Sequence, residues 1–151
     1  MEVMEGFDGP MKDWPEIRLI AGVDQMIPLL HKEWEIAIAT NAMASNESDI
    51  LAAFKRVELD EYIDRIYCFK SVGHLKPSAE FFDHVIKFSG VEKSKCIMIG
   101  DSYQNDILGA NQSGIRGIWL NHQGLSPVET PECTTIRNFS ELPETLARLI
   151  S

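Results

Sequence analysis

Short apolar runs alternate with amphipathic stretches along most of the chain. The runs, rich in β-branched residues, are predicted strands and cover 35–39 (EIAIA), 65–69 (RIYCF), 96–100 (CIMIG) and 117–120 (GIWL). Apolar residues recur at helical spacing over 23–31, 47–57, 78–88, 104–113 and 141–150. Apolar strands separated by helices are typical of a parallel sheet covered on both faces. The pattern therefore predicts an α/β fold of three layers, a doubly wound, Rossmann-like parallel sheet.

No repeat, low-complexity stretch or linker interrupts this alternation. Residues 1–16 carry Gly6, Gly9, Pro10 and Pro15 without a clear period, so we predict an irregular N-terminal remnant there. Residues 17–151 are predicted to form one core domain. The N-terminal stretch lacks the basic start and apolar centre of a signal peptide, and no apolar run approaches the ~18 residues of a membrane span. We therefore expect a cytoplasmic protein.

The charge balance narrows the partners further. Fourteen Lys and Arg stand against 23 Asp and Glu, which gives a net charge of −9 and an isoelectric point near 4.8. Such a surface repels nucleic-acid backbones and anionic membranes, so neither is an expected partner. A small anionic substrate stays compatible if a metal ion or a well-placed lysine supplies local positive charge. The three cysteines form no Cys-x-x-Cys pair and are predicted to be reduced, buried thiols.

Polar residues follow two of the predicted strands, where open parallel sheets bind ligands. Thr40 and Asn41 follow the first strand and could hold an anionic oxygen, although the same residues also suit a simple turn. Asp101 follows the third strand directly, and Asp106 lies five residues later. This acidic pair could share Mg²⁺, or Ser102 could cap a helix whose dipole the acids complement.

A lysine lies between those two strands. Lys76 precedes Pro77, which suits the first turn of the next predicted helix. A lysine at that junction can neutralise phosphate, although a single surface lysine is more often merely solvated. No nucleophile elbow or Gly-rich dinucleotide loop is present, and the four histidines match no metal-binding spacing.

In combination, these motifs resemble those of the haloacid dehalogenase (HAD) superfamily. The strand ending in Thr40-Asn41 resembles the second family motif, Lys76-Pro77 the third, and residues 97–106 (IMIGDSYQND) the fourth. Residues 107–115 (ILGANQSGI) resemble the helix and return loop that follow the fourth motif. The resemblance covers most of the chain. It is specific for the superfamily and says little about the substrate.

The resemblance implies Mg²⁺-dependent phosphoryl transfer, in which an aspartate attacks phosphorus and forms an aspartyl-phosphate. Thr40 and Asn41 would bind phosphate, and Lys76 would steady the phosphoryl group and the nucleophile. Thr40 and Lys76 are thus the implied catalytic residues. Asp101 and Asp106 would serve the metal. Because the dehalogenase branch does not use this Gly-Asp…Asp arrangement, the resemblance favours a phosphatase of small phosphorylated metabolites.

The first family motif has no counterpart in the sequence. That motif is a strand ending in Asp-x-Asp, which supplies the nucleophile and metal ligands. The nearest string, Phe7-Asp8-Gly9-Pro10, lacks both the strand and the second aspartate, so Asp8 is not expected to be the nucleophile. The family's helical cap is missing too. The absent strand would be the first, central one of the sheet. We therefore expect one of three outcomes. The neighbouring strands close up, another segment or chain takes the place of the strand, or the true protein is longer at its N-terminus.

Two hypotheses follow from the matches and the missing motif. The chain is the C-terminal core part of a Mg²⁺-dependent phosphatase, or it is a catalytically inactive remnant that binds a ligand or partner. We expect weak Mg²⁺ binding. An open sheet edge would favour self-association, so a homodimer is one candidate assembly, and the sequence leaves the oligomeric state open. An unrelated phospho-receiver domain would need an acidic pair near the first strand, and the sequence shows none there.

Overall fold

The computed structural model describes residues 4–5 and 8–150. The chain divides into two compact units, which span Glu2–Gly73 and His74–Ser151. The prediction of a single core domain over 17–151 stays a prediction.

The first unit contains two short sheets and three helices. Its strands are β1 (Met4–Glu5), β2 (Arg18–Leu19), β3 (Ala37–Ala39) and β4 (Arg65–Tyr67), and its helices are α1 (Val23–Leu30), α2 (Glu47–Arg56) and α3 (Phe69–Val72). Strands β1 and β2 pair antiparallel. Strands β3 and β4 pair in parallel, with Ile38 opposite Ile66. The core of this unit forms around α2, where Ile50, Ala53 and Phe54 are buried.

The segment before β2 packs on α2. A 3₁₀ turn at Met11–Asp13 places Met11 so that its N–H donates to the buried Ser45 hydroxyl at 2.9 Å. The indole of Trp14 is buried and donates to the Gly9 carbonyl at 3.0 Å. The Arg56 guanidinium donates to the Trp14 carbonyl at 2.6 Å. Most of the predicted irregular segment therefore has a defined path, held by aromatic burial rather than by a periodic pattern.

The second unit is a three-stranded parallel sheet with helices. Its strands are β5 (Ile97–Gly100), β6 (Arg116–Leu120) and β7 (Cys133–Ile136), and its helices are α4 (Ala79–Ser89), α5 (Gly109–Gln112) and α6 (Leu142–Ile150). The strand order is β5-β6-β7, with Ile99 opposite Ile118 and Ile118 opposite Thr134. A π-helical turn at Tyr103–Leu108 connects β5 to α5. The core is built from buried apolar side chains of several elements: Phe81, Phe82, Ile107, Ile118, Leu120, Ile136 and Leu142.

The structure confirms the predicted fold class, with parallel strands separated by helices. In the described chain, β3 pairs only with β4, and β5 pairs only with β6. Each is therefore an edge strand of its own sheet within the described chain. Cys68 and Cys133 are buried free thiols, and Cys96 is a half-buried one. No helix of the described ranges is both long enough and apolar enough to cross a membrane.

Several boundaries differ from the sequence-based expectation. Strand β4 ends at Tyr67 because Phe69 already begins α3. Pro77 lies outside α4, since Ser78 is the capping residue and its side chain accepts the Phe81 N–H at 3.2 Å. The single helix predicted over 104–113 is a π-helical turn followed by α5. Strand β7 was not predicted, because its two central threonines interrupt the apolar run, although threonine itself favours strands.

Candidate functional site

The carboxyl end of β5 carries the fourth-motif residues. Strand β5 ends at Gly100, and Ser102 then caps the π-helical turn by accepting the Asn105 N–H at 3.2 Å. Gly100 is buried, and a Cβ at this position would overlap the Asp106 carboxylate. The absence of a side chain at Gly100 therefore lets Asp106 fold back against the end of its own strand. The capping alternative for Ser102 is confirmed.

Lys76 and Asp106 form a buried ion pair. The Lys76 Nζ lies 2.7 Å from Asp106 Oδ1, and the two residues are 5% and 1% exposed. The Lys76-Pro77 peptide bond is cis, and Pro77 packs closely against Gly109 at the start of α5. The ion pair with Asp106 and the packing of Pro77 hold Lys76 inside the second unit. The alternative of a solvated surface lysine is wrong, because the side chain is buried against a carboxylate.

Asp106 is ionised at neutral pH. Burial alone would raise the pKa of its carboxyl group, but nearby positive charge, including Lys76, and the hydrogen bonds from Lys76 and Ser102 outweigh burial and lower it. The backbone N–H of Ser102 donates to Oδ2 at 3.2 Å, so each carboxylate oxygen of Asp106 has a protein donor. Lys76 and Asp106 therefore neutralise each other inside the unit.

The lowered pKa of Asp106 predicts a loss of stability in acid. A carboxylate whose folded-state pKa lies below its ordinary value of 3.8 stabilises the fold above that value. This stabilisation is lost as the pH falls through the folded-state pKa. In urea titrations between about pH 5 and about pH 3, we expect the wild type to lose more free energy of unfolding than Asp106→Asn.

The exposed acid Asp83 on α4 provides the matched control. Asp83→Asn should follow the wild-type pH dependence. If the free energy of unfolding of Asp106→Asn falls as steeply in acid as that of the wild type, other carboxylates cause the loss.

Asp101 lies in a more open environment. Its side chain is 29% exposed, and its Oδ2 lies 3.5 Å from Nε2 of His122. Its backbone carbonyl accepts a hydrogen bond from the indole of Trp119 at 3.1 Å. Sequence reasoning missed both partners, since Trp119 lies within a predicted strand and His122 matches no metal-binding spacing. The signal that could have found His122 is its place just after β6, which pairs with β5, the strand that Asp101 follows.

Thr40 and Asn41 follow β3 in the first unit. The Thr40 N–H donates to the Tyr67 carbonyl at 3.0 Å and extends the ladder, and its hydroxyl accepts the Ala42 N–H at 3.1 Å. Thr40 is 1% exposed. The loop ends in a capping box between Asn46 and Asp49 at the start of α2. The hydroxyl is thus held by its own loop, and phosphate binding by Thr40 and Asn41 stays a prediction.

The fourth-motif acids fit a hard divalent cation in part. Mg²⁺ usually binds one or two carboxylates and keeps several waters, so the half-exposed Asp101 suits it. Asp106 suits it less, because both of its oxygens accept protein hydrogen bonds. Within the described ranges, no group of three or more His, Cys, Asp or Glu side chains could hold a metal. Asp101 is therefore the stronger candidate, and the metal role of both acids stays a prediction.

We expect Mg²⁺ to stabilise this chain only slightly. When the cation concentration equals the dissociation constant, binding adds about 0.4 kcal/mol, which raises the melting temperature by about 1–2 °C. Differential scanning fluorimetry in low-millimolar MgCl₂ measures the shift, with NaCl of matched ionic strength as the control. A rise of many degrees in the melting temperature would mean that the site has more metal ligands than the described residues provide.

The sequence of this chain is similar to those of several known proteins. A family model described as haloacid dehalogenase-like hydrolase matches residues 2–120. The chain belongs to this hydrolase family. It is 26% identical over 131 residues to a pyrimidine 5′-nucleotidase of Escherichia coli, covering 85% of this chain and 57% of that protein. It is 25% identical over 113 residues to N-acylneuraminate-9-phosphatase of Homo sapiens, covering 74% of this chain and 44% of that protein.

Two solved structures share the fold of this chain. A 2-haloacid dehalogenase from Pseudomonas syringae pv. Tomato superposes with a TM-score of 0.72 and 30% identity, covering 87% of this chain and 54% of that one. An uncharacterized protein from Listeria monocytogenes serotype 4b has a TM-score of 0.83 and 24% identity, covering 95% of this chain and 87% of that one. The chain spans about half the length of the curated HAD-like relatives described above.

Proposed function

We propose that this chain is the C-terminal core part of a Mg²⁺-dependent phosphatase that acts on a small phosphorylated metabolite. The observation that carries the proposal is the buried Lys76–Asp106 pair beside the end of β5, on a chain of the HAD-like hydrolase family. The two relatives named above are, by their names, a pyrimidine 5′-nucleotidase and an N-acylneuraminate-9-phosphatase. This agreement favours phosphate over halide as the leaving or transferred group.

The roles follow from what a phosphoryl group requires. Its oxygens carry negative charge, which must be met by cations or N–H donors. Because Asp106 neutralises Lys76, that lysine alone supplies no net positive charge, so a further cation is needed. Mg²⁺ held through Asp101 would supply that charge when bound. Lys76 would steady the phosphoryl group, and Thr40 and Asn41 would bind phosphoryl oxygens.

The sequence lacks a candidate for the nucleophilic aspartate. The printed sequence contains no Asp-x-Asp, and Asp8 is an exposed residue in a bend. We propose that residues outside the printed sequence supply the nucleophilic aspartate and its strand. The alternative is an inactive HAD-like module that binds a ligand or partner. The same missing motif, together with the incomplete metal-ligand set of the described residues, favours that alternative.

Two measurements on the native protein test the proposal. The first combines its intact mass with the DNA sequence upstream of the Met1 codon. A mass well above 17.0 kDa, with an in-frame Asp-x-Asp strand, is the expected result. The second measures phosphate release from a pyrimidine nucleoside 5′-monophosphate, a sugar-acid 9-phosphate and p-nitrophenyl phosphate, and halide release from a 2-haloacid.

We expect phosphate release and no halide release, both assayed with Mg²⁺. A native mass of 17.0 kDa without turnover of any ester would favour the inactive binding module. Halide release without phosphate release would contradict the phosphatase assignment. Either result is distinguishable from a poorly folded preparation by a cooperative thermal transition.

A further inference from the structure

Hydrogen bonding fixes the backbone of Asp101, whereas its carboxylate is partly exposed. Trp119 lies in β6 opposite Gly100, is 4% exposed, and donates its indole N–H to the Asp101 carbonyl at 3.1 Å. The Trp119 ring packs against Tyr103, with the ring centroids 5.0 Å apart. These contacts hold the Asp101 backbone against the core. The Asp101 carboxylate, which is half exposed, has His122 as its described side-chain neighbour.

His122 itself projects from a closed loop. The preceding residue, Asn121, is 6% exposed, and its N–H donates to the Ile136 carbonyl at 2.8 Å. The Asn121 side chain donates to the Leu125 carbonyl at 2.6 Å and accepts the Leu125 N–H at 3.0 Å. These bonds anchor the loop to β7 and close it on itself. The imidazole of His122 therefore approaches Asp101 from a fixed backbone position.

We propose that His122 is a positioning residue for Asp101. A hydrogen on Nε2 would donate to Oδ2, and Oδ1 would then be the oxygen that accepts a divalent cation. Carboxylates that bind metals are commonly oriented in this way by a hydrogen-bond donor on the other oxygen, and loss of the donor weakens metal binding. Asp106 differs, because both of its oxygens are engaged by protein donors in a buried position.

The inference rests on the proposed role of Asp101 and goes beyond it by assigning a residue that matches no motif. It also gives the two acids different roles. Asp101 is oriented and accessible, whereas Asp106 is committed to Lys76. The 3.5 Å contact of His122 is long and 46% of its side chain is exposed, so we expect an effect at the low end of the range seen for such partners.

Electron paramagnetic resonance with Mn²⁺ as the probe tests the inference, because free Mn²⁺ is counted directly and no turnover is required. His122→Ala should weaken Mn²⁺ binding by about tenfold without lowering the melting temperature. His122→Gln, which keeps an N–H donor at a similar reach, should stay within about twofold of the wild type. His84→Ala, which removes a histidine from α4, should bind Mn²⁺ like the wild type.

Asp101→Asn separates the two ways in which the idea can fail. If Asp101→Asn abolishes Mn²⁺ binding and His122→Ala leaves it unchanged or tighter, only the role of His122 is overturned. If Asp101→Asn binds Mn²⁺ as well as the wild type, the assignment of Asp101 itself fails. Failure of His122→Gln to restore binding would reduce His122 to a structural contact and would also overturn the inference.

Discussion

Replacing Lys76 by alanine is expected to destabilise the protein by about 3–5 kcal/mol, because the change removes the described cationic partner of a buried carboxylate. Asp106 is 1% exposed and would lose the 2.7 Å hydrogen bond from the Lys76 ammonium in this variant. For a chain of this size, such a loss lowers the melting temperature by roughly 6–20 °C. Urea unfolding followed by circular dichroism measures the free energy of unfolding directly.

The pair itself offers a sharper test than the single variant. In the double variant Lys76→Met with Asp106→Asn, both charges are gone, so we expect it to be more stable than Lys76→Met alone. Lys95→Ala removes an exposed lysine of the same unit and should change the free energy of unfolding by at most about 0.5 kcal/mol. Equal small losses in Lys76→Ala and Lys95→Ala would contradict the buried-pair interpretation.

The positions of the motif residues could be predicted, because a simple rule governs them. Apolar runs predicted β3 and β5, and residues that follow parallel strands come to the ligand-binding edge of a sheet. Thr40 and Asp101 do follow these strands. The family and the fold class could also be predicted, since the order of three short motifs is more specific than any one of them.

The partners of these residues could not be predicted in the same way. Lys76 and Asp106 are 30 positions apart, and no periodic pattern in the sequence indicates that their side chains form an ion pair. The sequence suggested that each would face a ligand, whereas the structure turns the two toward each other. A glycine one residue before Asp101 carried a usable signal, because close approach at Gly100 indicates that another group must come near the backbone there.

Some elements escaped prediction because tertiary packing decides them. Trp14 is buried on α2 through a segment with no helical or strand period. The π-helical turn at Tyr103–Leu108 carries the same apolar spacing as an α-helix would. Strand β7 contributes Cys133 and Ile136 to the core, although the two threonines between them are only half-buried.

The two acids of the fourth motif should respond differently to substitution, and activity should depend on Asp101 most of all. Under the proposed function, Asp101→Asn in the native protein is expected to lower the rate of phosphate release at least 100-fold, because the amide loses the charge that would hold Mg²⁺. The stability should hardly change, since the Asp101 side chain is 29% exposed and its contact with His122 is long. Phosphate release and urea unfolding, measured on the same preparation, report the two effects separately.

Asp106→Asn is the matched comparison, since it makes the same chemical change five residues away. It should lower both activity and stability, because it weakens the pairing that holds Lys76 in place. A high concentration of MgCl₂ should recover little activity in Asp101→Asn if the charge itself is required. Phosphate release within a few-fold of the wild type in Asp101→Asn would contradict the proposed metal role and, with it, the phosphatase mechanism that depends on it. A loss of activity that simply tracked unfolding in both variants would leave Asp101 with a structural role alone.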